Sequence, residues 1–176
     1  MGRDKAFVEF GGRPLVAHVV DRLSSMSDDV FVIAKSRTDL DALGVRVYRD
    51  DCDVRTPLAG VLTALRAAVR PFVFVCATDM PYVSHTLVAL LASRAGSVDA
   101  VVPQRGGRLE PLHAVWSVAA ADAIAVRLGA GERAVHRVLD GLNVITVGEA
   151  EWRAVDPEGA SFTNLNTPDE LEAARR

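Results

Sequence analysis

Phe72-Val73-Phe74-Val75-Cys76-Ala77-Thr78-Asp79-Met80-Pro81 is the stretch on which the reading of the whole chain turns. Its first six residues are apolar at every position, without the alternation of a strand that keeps one face wet. A run of that kind suits a strand covered by helices on both faces. It predicts a strand from Phe72 to Ala77 in the middle of a sheet. Asp79 follows directly, and in open α/β sheets ligands bind outside the carboxyl ends of the strands. A carboxylate there can hold Mg²⁺ through oxygen, where the metal bridges and neutralises phosphate oxygens. An Asp two residues before a proline is equally consistent with a turn cap.

Outward from this strand, short β-branched or aromatic runs alternate with stretches of helical periodicity. The further predicted strands are Val30 to Ala34, Val45 to Tyr48, Ala100 to Pro103, His113 to Ser117 and Val144 to Val147. Between them, Leu15, Val19 and Leu23 recur at helical spacing within Pro14 to Ser25, Thr56-Pro57 opens a helix over Leu58 to Val69, and Ser84 opens one over Leu87 to Arg94. Thr167-Pro168-Asp169-Glu170 carries a capping box for a last helix. This order predicts an α/β fold, Rossmann-like and doubly wound, with a mostly parallel sheet in one domain over residues 1–176. Gly106-Gly107 reads as a turn, not a domain boundary.

The chain of 176 residues is 49% apolar with a formal net charge of -3, and its basic residues form no stripe that would follow a nucleic-acid backbone. Its longest apolar runs fall far short of the roughly 20 residues needed to span a bilayer. Met1-Gly2-Arg3-Asp4-Lys5 opens without a signal-peptide core. Nucleic acid and membrane are therefore not expected partners, and the expected location is cytoplasmic. Cys52 and Cys76 lack metal-ligand spacing, as do His18, His85, His113 and His136, so no zinc site is expected. Cys76 is expected in the core, and the histidines as structural or surface residues. No GxxxxGK[ST] loop and no serine nucleophile elbow is present.

Other residues acquire interest from their positions. Lys5, just after Gly2, is a natural phosphate contact, though a terminal lysine is also an ordinary solvated charge. Arg55-Thr56-Pro57-Leu58-Ala59-Gly60 sets a helix N-terminus where free N–H groups can face an anion or a base edge; the plain alternative is a capped helix whose Gly60 packs closely on the sheet. Asp50 and Asp51 follow a predicted strand onto the same sheet edge as Asp79. Asn164 and Asn166 stand on alternate positions of an extended segment and have no local capping duty, because Thr167 already fills it.

Taken jointly, Met1-Gly-Arg-Asp-Lys5, Gly12-Arg-Pro-Leu15, Pro57-Leu-Ala-Gly60, Thr78-Asp-Met-Pro81, Gly131-Glu-Arg133 and Asn164-Leu-Asn-Thr-Pro168 resemble the molybdenum cofactor guanylyltransferases, over nearly the whole chain and in the family's order. The resemblance implies transfer of GMP from Mg²⁺-GTP to molybdopterin, releasing pyrophosphate and forming the guanine dinucleotide of the cofactor. It implies that Lys5 contacts the GTP phosphates, that Asp50 lies near the nucleoside, that Asp79 holds Mg²⁺, and that Pro57, Leu58 and Gly60 shape the nucleotide pocket. Glu110, Pro111, Arg133, Asn164 and Asn166 then line the pterin half. Molybdoenzymes or other cofactor-biosynthesis proteins are the implied protein partners. The family begins with a strand and a Leu-Ala-Gly-Gly-x-x-x-Arg loop, so the first strand and the start of that glycine-rich loop are expected to be missing here. Two alternatives stand beside this reading: a cytidylyltransferase acting on the same cofactor, whose members more often have acidic residues at the Asn-Leu-Asn-Thr-Pro segment, and a non-catalytic pterin carrier.

Overall fold

The computed structural model describes residues 9–35, 40–50 and 56–165. A small hairpin of β1 (Glu9–Phe10) and β2 (Arg13–Pro14) leads into helix α1 (Leu15–Ser24), followed by β3 (Phe31–Ala34) and β4 (Arg46–Arg49), which pair in parallel. Helix α2 (Pro57–Ala67) crosses to β5 (Phe72–Cys76), and α3 (His85–Ser93) leads on to β6 (Ala100–Arg105). Gly106 and Gly107 take positive φ in the turn from β6 to β7 (Arg108–Leu109), as a tight hairpin requires. The chain continues through β8 (His113–Ser117), α4 (Ala121–Gly129), α5 (Val135–Val138), β9 (Val144–Val147) and α6 (Glu149–Trp152), with a 3-10 turn at Ala160–Phe162.

Among the described residues β5, β8, β6, β7 and β9 form one sheet. β8 runs antiparallel to both β5 and β6, and β9 lies parallel to β6. β5 and β6, each antiparallel to β8, thus point the same way as β9, while β8 and the short hairpin strand β7 are reversed. Among the described residues β5 pairs with β8, and its other edge borders a slot that separates it from β3.

The unbroken apolar character of β5 is explained by period-two alternation between two cores. Val73 and Val75 pack with Leu58, Val61 and Leu62 of α2, Ala100 and Val102 of β6, Trp116 of β8 and Ile124 of α4. Phe72 and Phe74 pack on the opposite face with Leu87 and Leu91 of α3, Val101, Val115, Trp152 and Phe162. A third cluster joins Val16 and Val20 of α1 to Val32 of β3 and Val47 of β4. Helices α2 and α3 start where expected, with the Thr56 and Ser84 side chains accepting hydrogen bonds from the Leu58 and Leu87 amides. The capping box at Thr167 lies outside the described residues.

Gly159 precedes the 3-10 turn in the left-handed conformation (φ 64°), and a Cβ there would lie 3.2 Å from the Trp152 ring. Both features oppose any side chain. Gly159→Ala is expected to destabilise the fold by about 1–2 kcal/mol, read as a lower denaturation midpoint at unchanged slope. An unchanged midpoint would show that the turn relaxes without cost.

Candidate active site

Asp79 sits in the turn that follows β5, and the turn is fixed by its own backbone. The Ala77 amide donates to the Leu112 carbonyl (3.0 Å), and the Met80 amide to the Ala77 carbonyl (3.3 Å). Because β8 is antiparallel to β5, with His113 opposite Cys76, the start of β8 and the preceding Glu110 and Pro111 come to the same sheet edge as Asp79. There the Glu110 amide donates to Pro103, and Glu110 and Pro111 accept through their carbonyls from the His113 amide and Trp116 Nε1. Burial pushes the Glu110 carboxyl above its ordinary range, while Arg105 and Arg108 pull it back.

Asp79 Oδ1 is buried and accepts no hydrogen bond among the described residues. A buried carboxylate oxygen with no donor is costly unless a cation or a donor arrives. A single carboxylate suits Mg²⁺, which is usually held by one or two carboxylates plus substrate phosphates and water. The described residues contain no cluster of three or more acidic, His or Cys side chains. The donor set at Asp79 therefore fits a metal that is carried in by a phosphate ligand and does not fit a closed structural cage. Nearby, the Cys76 thiol is pushed up to about 12, first by burial and then by the Asp79 charge, so it is a neutral, unreactive group.

The C-terminal segment is brought against this turn by a chain of specific contacts. The Leu165 amide donates to the Asp79 carbonyl (2.9 Å), which sets the exposed Asn164 beside the site. Behind it, Asp156 accepts from the Ala160 and Ser161 amides (3.2 and 3.1 Å), Ser161 Oγ accepts from the Ser84 amide (2.9 Å), and Arg105 Nη1 donates to the Phe162 carbonyl (3.2 Å). Phe162 stacks edge-on against Trp152 and His113.

Asp50 follows β4, is 8% exposed, and its amide donates to the Ala34 carbonyl; Lys35 Nζ lies 3.8 Å from its carboxylate. Thr56, at the start of α2, donates through Oγ1 to the carbonyl of Arg133, so the loop carrying Arg133 abuts the α2 N-terminus. Arg133 Nη1 is folded back onto the Leu128 and Glu132 carbonyls, both at 2.8 Å. Leu58 is fully buried in the core, and its amide donates to Thr56 Oγ1. One expectation changes here. Gly60 does not pack closely on the sheet: a Cβ there would meet nothing within 4 Å, and with Pro57 it lines the slot between β3 and β5. Lys5, Asp51 and Asn166 lie outside the described residues.

The sequence reading overlooked His113 as a member of this edge. It is fully buried between Phe74 and Phe162, and neither ring nitrogen has a hydrogen-bond partner among the described residues. Burial pushes it down to about 4, against a smaller upward pull from Asp156. The available signal was its place in the otherwise apolar run Leu112 to Trp116. A histidine that is neutral when folded and titrates near 6.5 when unfolded binds more protons in the unfolded state between these values. Its contribution is therefore unchanged above pH 6.5, and stability falls with pH toward 4, by roughly 3 kcal/mol over the window. Urea midpoints at pH 7 and pH 4.5 should differ in that direction, and His113→Leu should flatten the difference. An equal slope in the variant would assign the acid sensitivity elsewhere.

Asp79, the start of β8 and the segment carrying Asn164 thus come together at one sheet edge. The chain belongs to the MobA-like NTP transferase domain family, whose model matches residues 1–146. It is 32% identical to the molybdenum cofactor guanylyltransferase of Desulfosudis oleivorans, over 98% of this chain and 86% of that protein. It is 37% identical to the probable molybdenum cofactor guanylyltransferase of Mycobacterium tuberculosis, with the same coverage. Among solved structures, molybdopterin-guanine dinucleotide biosynthesis protein A from Archaeoglobus fulgidus superposes with a TM-score of 0.83 at 28% identity, covering 98% of this chain and 89% of that one. The 2-C-methyl-D-erythritol 4-phosphate cytidylyltransferase of Thermus thermophilus shares the fold, with a TM-score of 0.68, 24% identity and coverage of 98% and 94%. Among the described residues no helix is long and apolar enough to cross a membrane.

Proposed function

We propose that this chain transfers GMP from Mg²⁺-GTP to molybdopterin, forming the guanine dinucleotide of the molybdenum cofactor and pyrophosphate. The observation that carries the reading is the buried Asp79 Oδ1 with no hydrogen-bond partner among the described residues, at the carboxyl end of β5. The guanylyltransferase names of its relatives support the choice of donor and acceptor.

In this reading Asp79 holds the Mg²⁺, which when bound neutralises charge on the triphosphate. Lys5 adds a second positive charge to the phosphates, and Asp50 faces the nucleoside. Pro57 and Gly60 bound the nucleotide side, and Leu58 contributes through the core beneath them. Glu110, Pro111, Arg133, Asn164 and Asn166 receive the pterin. The protein's work is alignment: an acceptor phosphate oxygen attacks the α-phosphorus in line with the departing pyrophosphate, and no covalent enzyme intermediate is required.

Calorimetric titration of the protein as it occurs in its source with GTP and with CTP, each with Mg²⁺, tests the donor. Preferential binding of GTP that weakens when Mg²⁺ is withdrawn is the expected result. Preference for CTP would move the chain to the cytidylyltransferases, and binding of neither nucleotide would favour a pterin carrier.

A further inference from the structure

The start of α2 carries one hydroxyl with two duties. Thr56 Oγ1 accepts from the Leu58 amide (3.3 Å) and donates to the carbonyl of Arg133, 77 residues away in sequence. A threonine hydroxyl has one proton and two lone pairs, so a single oxygen serves both bonds at once. Pro57 brings no N–H, and the Ala59 amide returns to the Thr56 carbonyl (3.1 Å). The first turn of α2 thus closes on Thr56, and the hydroxyl proton is left to reach outward.

The loop it reaches holds its own shape. Gly131 leaves α4 at φ 97° with its amide on the Leu128 carbonyl (3.1 Å), and the Glu132 amide donates to the Arg127 carbonyl (3.0 Å). The Glu132 carboxylate accepts from the Arg133 and Ala134 amides (2.7 and 2.9 Å), and these bonds hold it below its ordinary range. Arg133 is exposed, and while its Nη1 is engaged with the Leu128 and Glu132 carbonyls, Nε and Nη2 carry further donors for a ligand. All these bonds fix the shape of the loop and not its place. Among the described residues the Thr56 bond is the one hydrogen bond between the loop over residues 130–134 and the start of α2.

We propose that Thr56 is a positioning residue for the acceptor: its hydroxyl holds the Arg133 loop at a fixed distance from the start of α2 and so sets the pterin half of the site against the nucleotide half. This rests on the reading given above, in which Arg133 receives the pterin and Pro57 and Gly60 bound the nucleotide side. In-line transfer needs both substrates held in one geometry, and a bond made directly between the two halves is the shortest path by which the protein can fix it.

A helix cap needs only an oxygen that accepts, whereas the tie needs a proton to give, and three substitutions separate the two. Thr56→Asp keeps the cap and loses the tie, Thr56→Val loses both, and Thr56→Ser keeps both. The KM for molybdopterin is expected to rise about 3- to 10-fold in Thr56→Asp and in Thr56→Val, the worth of one ordinary hydrogen bond. Thr56→Val, which adds no charge, should raise the KM for GTP less, and Thr56→Ser should behave as the wild type. Without any substrate, the amide order parameters of residues 131–134 should fall in Thr56→Asp and Thr56→Val and stay unchanged in Thr56→Ser. Unchanged order parameters in the first two, or a KM for molybdopterin that rises in Thr56→Val and not in Thr56→Asp, would reduce Thr56 to a helix cap and overturn the proposal. A loosened loop with an unchanged KM for molybdopterin would overturn it too. Absence of turnover in the wild type would sink the guanylyl-transfer reading instead, and the order parameters alone would then decide the tie.

Discussion

Asp79→Asn is expected to lower the metal-dependent transfer rate by about 100- to 1,000-fold, because it removes the charge that would hold a divalent cation against the triphosphate while keeping the shape of the side chain. The fold should survive. The tie from this turn to the C-terminal segment runs from the Leu165 amide to the Asp79 main-chain carbonyl, which the substitution leaves in place. The buried side-chain oxygen Oδ1 has no hydrogen bond among the described residues to lose. Stability is even open to a small gain, since an amide is easier to bury than an unpaired carboxylate. Turnover measured across a Mg²⁺ titration, with a urea denaturation curve beside it, checks both halves. Wild-type turnover in the variant would remove Asp79 from the chemistry.

Trp152→Ala should have the largest effect on stability, about 3–5 kcal/mol, the range for deleting a large buried aromatic side chain. Trp152 is fully buried, donates through Nε1 to the Gln104 carbonyl (2.8 Å) and carries Phe162 on its ring at a centroid distance of 5.0 Å. Its loss leaves a cavity and an unpaired carbonyl on β6. The effect reaches the site, because Phe162 lies three residues before Leu165, whose amide is anchored to Asp79. At a temperature where the variant is still folded, it should bind the acceptor more weakly without losing metal dependence. A stable variant with unchanged acceptor binding would show that the 160–165 segment is held by Asp156 and Ser84 alone.

Much of this architecture was legible in the chain because local signals and tertiary demands agree. Phe72 to Ala77 is apolar at both parities since two cores need it, and Thr56 and Ser84 cap helices where the periodicity begins. The expected strands His113 to Ser117 and Val144 to Val147 match the observed ones end to end. Which strand pairs with β5 was not legible, because an apolar run reports covered faces and says nothing of which edges are paired. Helix α4 also escaped: Ala121 to Gly129 opens without a side-chain cap, and only Ile124 and Leu128 on it are buried, too short a stripe to declare itself.

The site divides in the same way. The place of Asp79 just after β5 was legible because it is a consequence of topology, whereas the docking of the Asn164 segment through the Leu165 amide onto the Asp79 carbonyl was not. The burial of Leu58 was not legible from the helix-start motif it shares with Pro57, because a cap signal does not say which side chain turns into the core. His113 was hidden by its type: a histidine in an apolar strand carries no spacing signal, and its contact with Phe162, 49 residues away in sequence, exists only in the fold.

The central claim is that the Asp79 edge is a guanylyl-transfer site. Incubating the protein, as isolated from its source, with molybdopterin, GTP and Mg²⁺ and identifying the product by mass spectrometry tests it most directly. The account requires a guanine dinucleotide of the pterin and an equal amount of pyrophosphate, both lost when Mg²⁺ is chelated. Unchanged molybdopterin and intact GTP after incubation with folded protein would contradict it.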